Sequence, residues 1–190
     1  MLDYLNHIDT VIFIFFNVKL ANPVFDVIMP VITYRETWYP LWVIAIVGLL
    51  WKGGKKGRWV VLIAILAVGS ADLMVDRIMK PAFHRIRPCN VVEEVHMLVG
   101  KKSSKSMPSA HAANFFALAT VFSYFYRRYQ WIFWFLASLV AYSRIAVGVH
   151  YPFDALVGAI TGACLALFWI LMLTKVIKIN GHVIVKLPDP

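Results

Sequence analysis

Residues 143–173 read SRIAVGVHYPFD and then, without a break, ALVGAITGACLALFWILML. The second piece, 155–173, is the longest uncharged run in the chain and is long enough to cross a hydrocarbon core. The first piece puts an Arg, a His and an Asp within twelve residues, directly after the apolar run WIFWFLASLVAY. Polar groups so placed are either the solvated cap of a helix or chemistry held at a membrane surface.

The composition favours a membrane. Of 190 residues, 61% are hydrophobic and 15% aromatic, and the mean hydropathy is +0.70. That apolar share exceeds what a soluble domain carries. The length suits a single domain over 1–190, one bundle of five to seven helices. MLDYLNHID has no basic n-region, so the first segment is expected to stay in the mature protein. The two cysteines, Cys89 in a polar stretch and Cys164 in an apolar one, suggest no disulfide framework.

Further spans are read at 59–79, 109–126 and 131–142, with a fifth at 38–51 whose Trp and Tyr residues mark both interfaces. Residues 1–37 contain Asp9, Lys19, Asp26 and two prolines, and predict either a short spanning helix followed by a return segment or helices lying in the interface. The expected fold is therefore all-α, a polytopic transmembrane bundle of five to six spanning helices. The tail GHVIVKLPDP reads as a short polar end.

The net charge of +9 sits in short loops between apolar spans, which argues against nucleic acid and leaves two explanations. One is the positive-inside excess and the other is attraction for an anionic headgroup. WKGGKKGRW (51–59), RRYQ (127–130) and the tail lysines 175, 178 and 186 fall on one face, assigned to the cytoplasm. The loop 80–107 and the stretch 143–152 then share the opposite face. That loop is itself basic, with Lys80, Arg85, Arg87, Lys101, Lys102 and Lys105, against the orientation rule. Phosphate binding supplies the reason.

Three clusters lie on this outer face: KPAFHRIRP, with Lys80 six residues ahead of Arg87 and Pro88; PSAH, Pro108 to His111; and Ser143–Arg144, five residues, His150, three residues, Asp154. The set KxxxxxxRP, PS(G/A)H and SRxxxxxHxxxD resembles the signature of the type 2 phosphatidic acid phosphatase family, whose fold is shared with the vanadium haloperoxidases. The three pieces occur in order, on one side, bordering apolar spans.

The residue chemistry agrees. Phosphoryl transfer spreads negative charge over three equatorial oxygens and calls for fixed positive donors. Arg87 and Arg144 offer planar forks and Lys80 a point charge. Ser109 opens a helix whose N-terminal N–H groups and hydroxyl suit an anion. Ala110 stands where the family has Gly, so the turn is expected not to need positive φ there. Asp154 falls in the first turn after Pro152, where it can reach back to His150 and support an imidazolium. Arg85 either touches substrate or is solvated.

By the resemblance, His150 is the nucleophile and forms a phosphohistidine, while His111 serves the leaving oxygen as acid and the hydrolytic water as base. It implies no cofactor, and no carboxylate cluster on this face suggests a metal. It further implies a bacterial inner (plasma) membrane enzyme with its site facing the periplasm or exterior. The expected substrate is a lipid phosphate: lipid A 1-phosphate, undecaprenyl pyrophosphate, phosphatidylglycerophosphate or phosphatidate. The short loop between the first two motifs is similar to that of bacterial members, and its lysines tilt the choice toward lipid A or a prenyl pyrophosphate. A lipid phosphotransferase and a non-catalytic anionic-lipid binder or transporter are the rivals. No obligate protein partner is evident.

Other polar groups read more plainly. His7, His84, His96 and His182 read as solvated surface residues. Asp72 and Asp76 lie inside an apolar span, where a charge costs on the order of 3 kcal/mol, so each should have a partner. For Asp76 that is a neighbouring basic residue, one turn before Lys80. Lys101, Lys102 and Lys105 form a headgroup-attracting rim, and GAITGA (158–163) packs helix on helix.

Overall fold

The computed structural model describes residues 2–179, and side chains for residues 4–173. Lys186, His182 and the tail read as a polar end lie outside the described residues. Within them every regular element is helical.

Helix α1 (Leu2–Ile14) runs on through a π-helical stretch to Lys19. After a short break α2 (Pro23–Thr33) begins, with Pro23 at its first position. The Asn22 carboxamide oxygen accepts the N–H groups of Val24 and Phe25 at 3.1 and 3.0 Å. The two halves meet at 115°. Tyr4–Lys19 and Pro23–Thr33 thus form one sharply bent pair of helices, the shape of a helix followed by a returning segment.

Helices α3 (Arg35–Trp51), α4 (Gly54–Leu73) and the short α5 (Lys80–Phe83) follow. A π-helical stretch, Met74–Met79, joins α4 to α5 so that Gly54–Phe83 is continuous. Then come α6 (Ala110–Phe125), α7 (Gln130–Ala146) and α8 (Pro152–Ile179). Gly54–Phe83 and Pro152–Leu173 are each long and apolar enough to cross a membrane, and the bent pair makes a third if it counts as one span.

The core lies where α4, α6 and α8 meet, with Val60, Ile63, Ala117, Val121, Ala166 and Ile170 buried together. Helix α8 approaches α6 closely at the GAITGA stretch. A Cβ on Gly158 would strike the Ser109 carbonyl, and one on Gly162 the Ala113 carbonyl. The small residues therefore pack helix on helix, as expected. A second cluster ties Phe13 of α1 to Ala112, Ile145 and Ala155, and a third seats Met29 of α2 on Ala146, Val147 and Val149.

The two ends of the bundle differ as the charge alternation implied. At one end Lys56 lies over the Tyr126 ring at 4.8 Å, bringing the two short basic loops together. At the other, the loop that follows α5 meets the α7–α8 turn, where Arg87 reaches the Val149 carbonyl.

Candidate active site

The loop after α5 is closed by Arg87. Its Nε and Nη2 donate to the carbonyl and hydroxyl of Ser104 at 2.8 and 3.0 Å, and Ser106 N–H donates to the Arg85 carbonyl at 2.9 Å. The remaining nitrogen, Nη1, donates to the Val149 carbonyl at 2.9 Å and lies 2.9 Å from His150 Nε2. A guanidinium only donates, so Nε2 must present its lone pair and the ring proton sits on Nδ1.

Nδ1 lies 3.4 Å from Asp154 Oδ2, at ion-pair distance but without a hydrogen bond. That carboxylate is held by the Tyr151 N–H at 2.9 Å and by Arg85 Nη1 at 2.9 Å. Burial, and then the charges of Arg87, Arg144 and Lys80, hold His150 well below the ordinary imidazole range. A neutral imidazole with its Nε2 lone pair turned toward fixed cations is a poised nucleophile.

Gly148, at φ +83°, turns the chain after α7, so that Arg144 on the helix and His150 beyond it face the same space. Arg144 is 6% exposed; its Nη1 donates to Thr33 Oγ1 at 2.7 Å, while its buried Nε has no partner. Lys80 pairs with Asp76 at 2.6 Å, the partner expected for that carboxylate. Asp72 has one as well, accepting from Asn114 Nδ2 at 2.8 Å.

Lys80, Arg87, Ala110, His111, Arg144 and His150 all line one cavity of about 650 Å³. It joins residues from every cluster picked out in the sequence. Ala110 does so as the first residue of α6, without positive φ. Lys102 and Lys105 of the rim line it too, with Ser104. In all, six basic side chains face this space against two carboxylates, Glu36 and Asp76. Among the described residues no three His, Cys, Asp or Glu side chains are grouped to hold a metal ion.

Three expected site residues sit behind the wall. Ser109 is fully buried; its hydroxyl accepts the Ala112 N–H at 3.4 Å and its own N–H donates to the Asp154 carbonyl at 2.9 Å. It caps α6 and ties it to α8 rather than facing the cavity. Asp154 is likewise fully buried and reaches the cavity only through His150. Arg85, read as substrate-touching or solvated, is partly exposed and does not line the cavity. It bridges Asp154 and Asp9, the latter at 2.7 Å, and stacks 4.0 Å over the Tyr151 ring. Two buried carboxylates compete for it, which draws it inward.

Other residues were missed in the sequence. Thr33, Tyr34, Arg35 and Glu36, at the α2–α3 junction, form one side of the cavity. His84, read as a solvated surface residue, is indeed exposed and also lines the cavity, with a left-handed φ of 50° that ends α5. His96 is partly exposed but pairs with Asp26 at 2.9 Å. The missed signal was an arginine and an acid at the edge of an apolar span, where charges need a reason.

A cavity of about 220 Å³ shares Arg35 and His111 with the main one. A third, of about 400 Å³, shares Trp42, Val68 and Leu118 with the second and is lined by apolar side chains of α3, α4 and α6. Charged space thus passes stepwise into an apolar groove.

Residues 58–178 match the family model described as PAP2 superfamily. The chain belongs to the PAP2 superfamily. A PAP2 relative, the lipid A 4'-phosphatase of Bacteroides thetaiotaomicron, is 32% identical over 171 residues, covering 85% of this chain and 75% of its own. The undecaprenyl-diphosphatase of Sulfolobus acidocaldarius is 29% identical over 147 residues, covering 77% of this chain and 66% of its own. Among solved structures, Aquifex aeolicus LpxE superposes with a TM-score of 0.70 at 26% identity, covering 85% of this chain and 94% of that one. The resemblance read from three short motifs is borne out, and with it the reading of a PAP2 phosphatase.

Proposed function

We propose that this PAP2 protein is a membrane lipid phosphatase that acts through a phosphohistidine at the outer interface of a bacterial inner membrane. The observation that carries the reading is the His150 geometry: an Nε2 lone pair in a cation-lined cavity, with the Asp154 carboxylate 3.4 Å from Nδ1.

The phosphoryl oxygens take the donors of Arg87, Arg144 and Lys80. His150 Nε2 attacks phosphorus, and the bond from phosphorus to the leaving oxygen breaks as His111 protonates that oxygen. Water then attacks the phosphohistidine, His111 takes its proton, and the P–N bond breaks to release inorganic phosphate and neutral His150. Asp154 supports the positive charge the imidazole carries in between.

The apolar groove beside Arg35 and His111 supports a lipid substrate, its tail along α3, α4 and α6 and its phosphate in the basic cavity. Lys102, Lys105 and Arg35 suit a headgroup with more than one phosphate. The named activities of the two curated relatives point the same way, to lipid A or a prenyl diphosphate. Five to six spans are completed by α3, α6 and α7 crossing alongside the longer helices. The basic loops 51–59 and 127–130 lie toward the cytoplasm and the site toward the periplasm.

Purified protein is assayed for phosphate release from lipid A 1- and 4'-phosphate, undecaprenyl diphosphate, phosphatidylglycerophosphate and phosphatidate, with His111→Ala as control. Release from at least one, abolished in the variant, is expected. No release from any of them contradicts the reading.

A further inference from the structure

Asp9 lies in α1, outside the residues that match the PAP2 model, and it is fully buried. A buried carboxylate is costly unless its charge is used. Its Oδ1 accepts the Phe153 N–H at 3.0 Å, one residue ahead of Asp154, and its Oδ2 lies 2.7 Å from Arg85 Nη1. The same Arg85 nitrogen is 2.9 Å from Asp154 Oδ1. The Tyr151 ring beneath fixes the guanidinium. The order in space is therefore Asp9, Arg85, Asp154, His150.

We infer that Asp9 positions His150 for attack, acting through Arg85 and Asp154. This rests on the phosphatase reading above. Two carboxylates share one guanidinium, so the trio keeps a negative charge in excess, and Asp154 turns it toward His150 Nδ1. Were Arg85 paired with Asp154 alone, it would cancel that charge. The imidazole becomes positive when Nε2 bonds phosphorus, and the groups around it (Arg87, Arg144, Lys80 and His111) include three cations. On the Asp9 side the facing groups are Arg85, Asp154 and the Tyr151 phenol. The negative excess of the trio is what opposes the cations. A merely structural Asp9 would tether α1 to α8 without touching the electrostatics of His150.

The test compares wild type, Asp9→Asn and Asp9→Glu, each checked for a folded monodisperse peak in detergent. Phosphate release is followed against pH, and binding of inorganic orthovanadate, which bonds the nucleophile's position, is measured by calorimetry. Asp9→Asn should lower kcat about 10- to 100-fold with little change in KM and weaken vanadate about tenfold. It should also move the acidic limb of kcat/KM to lower pH, because the imidazole becomes harder to charge. Asp9→Glu keeps the charge and should leave the limb in place, so it carries the test if Asp9→Asn does not fold; a moved limb in Asp9→Glu counts against the inference. Unchanged vanadate affinity and an unmoved limb in Asp9→Asn overturn it, whether or not activity falls. Weakened vanadate binding in a protein that releases phosphate from no lipid would keep the positioning role and remove the phosphatase reading.

Discussion

The bent pair at residues 4–33 and the motif-bearing half at 80–154 share one site but contribute different things to it. The motif half supplies the groups that face the cavity and can touch a phosphate: Lys80, Arg87, His111, Arg144 and His150. The bent pair supplies groups that hold those in place. Asp9 reaches Arg85 and the Phe153 N–H, and Thr33 takes a hydrogen bond from Arg144. Asn17 donates to the carbonyls of His96 and Ala146 at 2.9 and 2.8 Å and accepts the His96 N–H at 2.8 Å, stapling the active-site loop to the end of α7. Reactive groups and their supports are thus encoded in different stretches of chain, and they should fail differently when changed.

The comparison breaks first at the nucleophile. His150→Ala should reduce phosphate release by about 10⁴-fold or more, because the nitrogen that forms the covalent intermediate is lost. Retained turnover would move the chemistry away from the motif half altogether. His111→Ala should cost about 10²- to 10⁴-fold, with more loss for substrates whose leaving oxygen is more basic. Rapid-quench kinetics on a set of lipid and aryl phosphates reads that dependence. Arg87→Lys keeps the charge but loses the fork that spans Ser104, Val149 and His150. A drop of about 100-fold in kcat/KM is expected, since fork geometry does not transfer to an ammonium.

Support-side changes should be milder. Thr33→Val removes the oxygen that Arg144 Nη1 holds at 2.7 Å and should raise KM several-fold while costing about 1 kcal/mol of stability. Thermal unfolding and steady-state kinetics on the same preparation separate the two effects. The smallest expected effect is on pH. Because His150 sits well below its ordinary value of 6.5, it stays neutral and nucleophilic into the acid range, and the acidic limb of kcat/KM should lie below 6.5. The linked stability has the same sign: fully present above the unfolded-state value, it is lost as the pH falls toward the folded one.

The same contrast explains what the sequence made legible. KPAFHRIRP, PSAH and SRIAVGVHYPFD could be read because phosphoryl transfer demands particular residue types at close spacing, beside apolar spans that set their side of the membrane. The supports could not. Asp9 meets Phe153 across 144 positions, Asn17 meets Ala146 across 129, and Thr33 meets Arg144 across 111, and no local pattern announces such partners. Their presence in apolar sequence was visible for Asp9 and read only as a reason to doubt a simple span. Ser109 shows the opposite case: a motif residue expected against substrate is a fully buried helix cap that does not line the cavity. Arg85 was placed on the correct loop but faces two buried carboxylates whose pull depends on α1 folding back.

The account turns on where the phosphoryl group goes. Protein mixed with ³²P-labelled lipid phosphate, quenched in alkali within milliseconds and digested, should carry acid-labile label on the peptide containing residue 150. That label should be absent in His150→Ala and should persist longer in His111→Ala, where the water is no longer activated. Active enzyme that carries no label under these conditions, or label on any other residue, would contradict it.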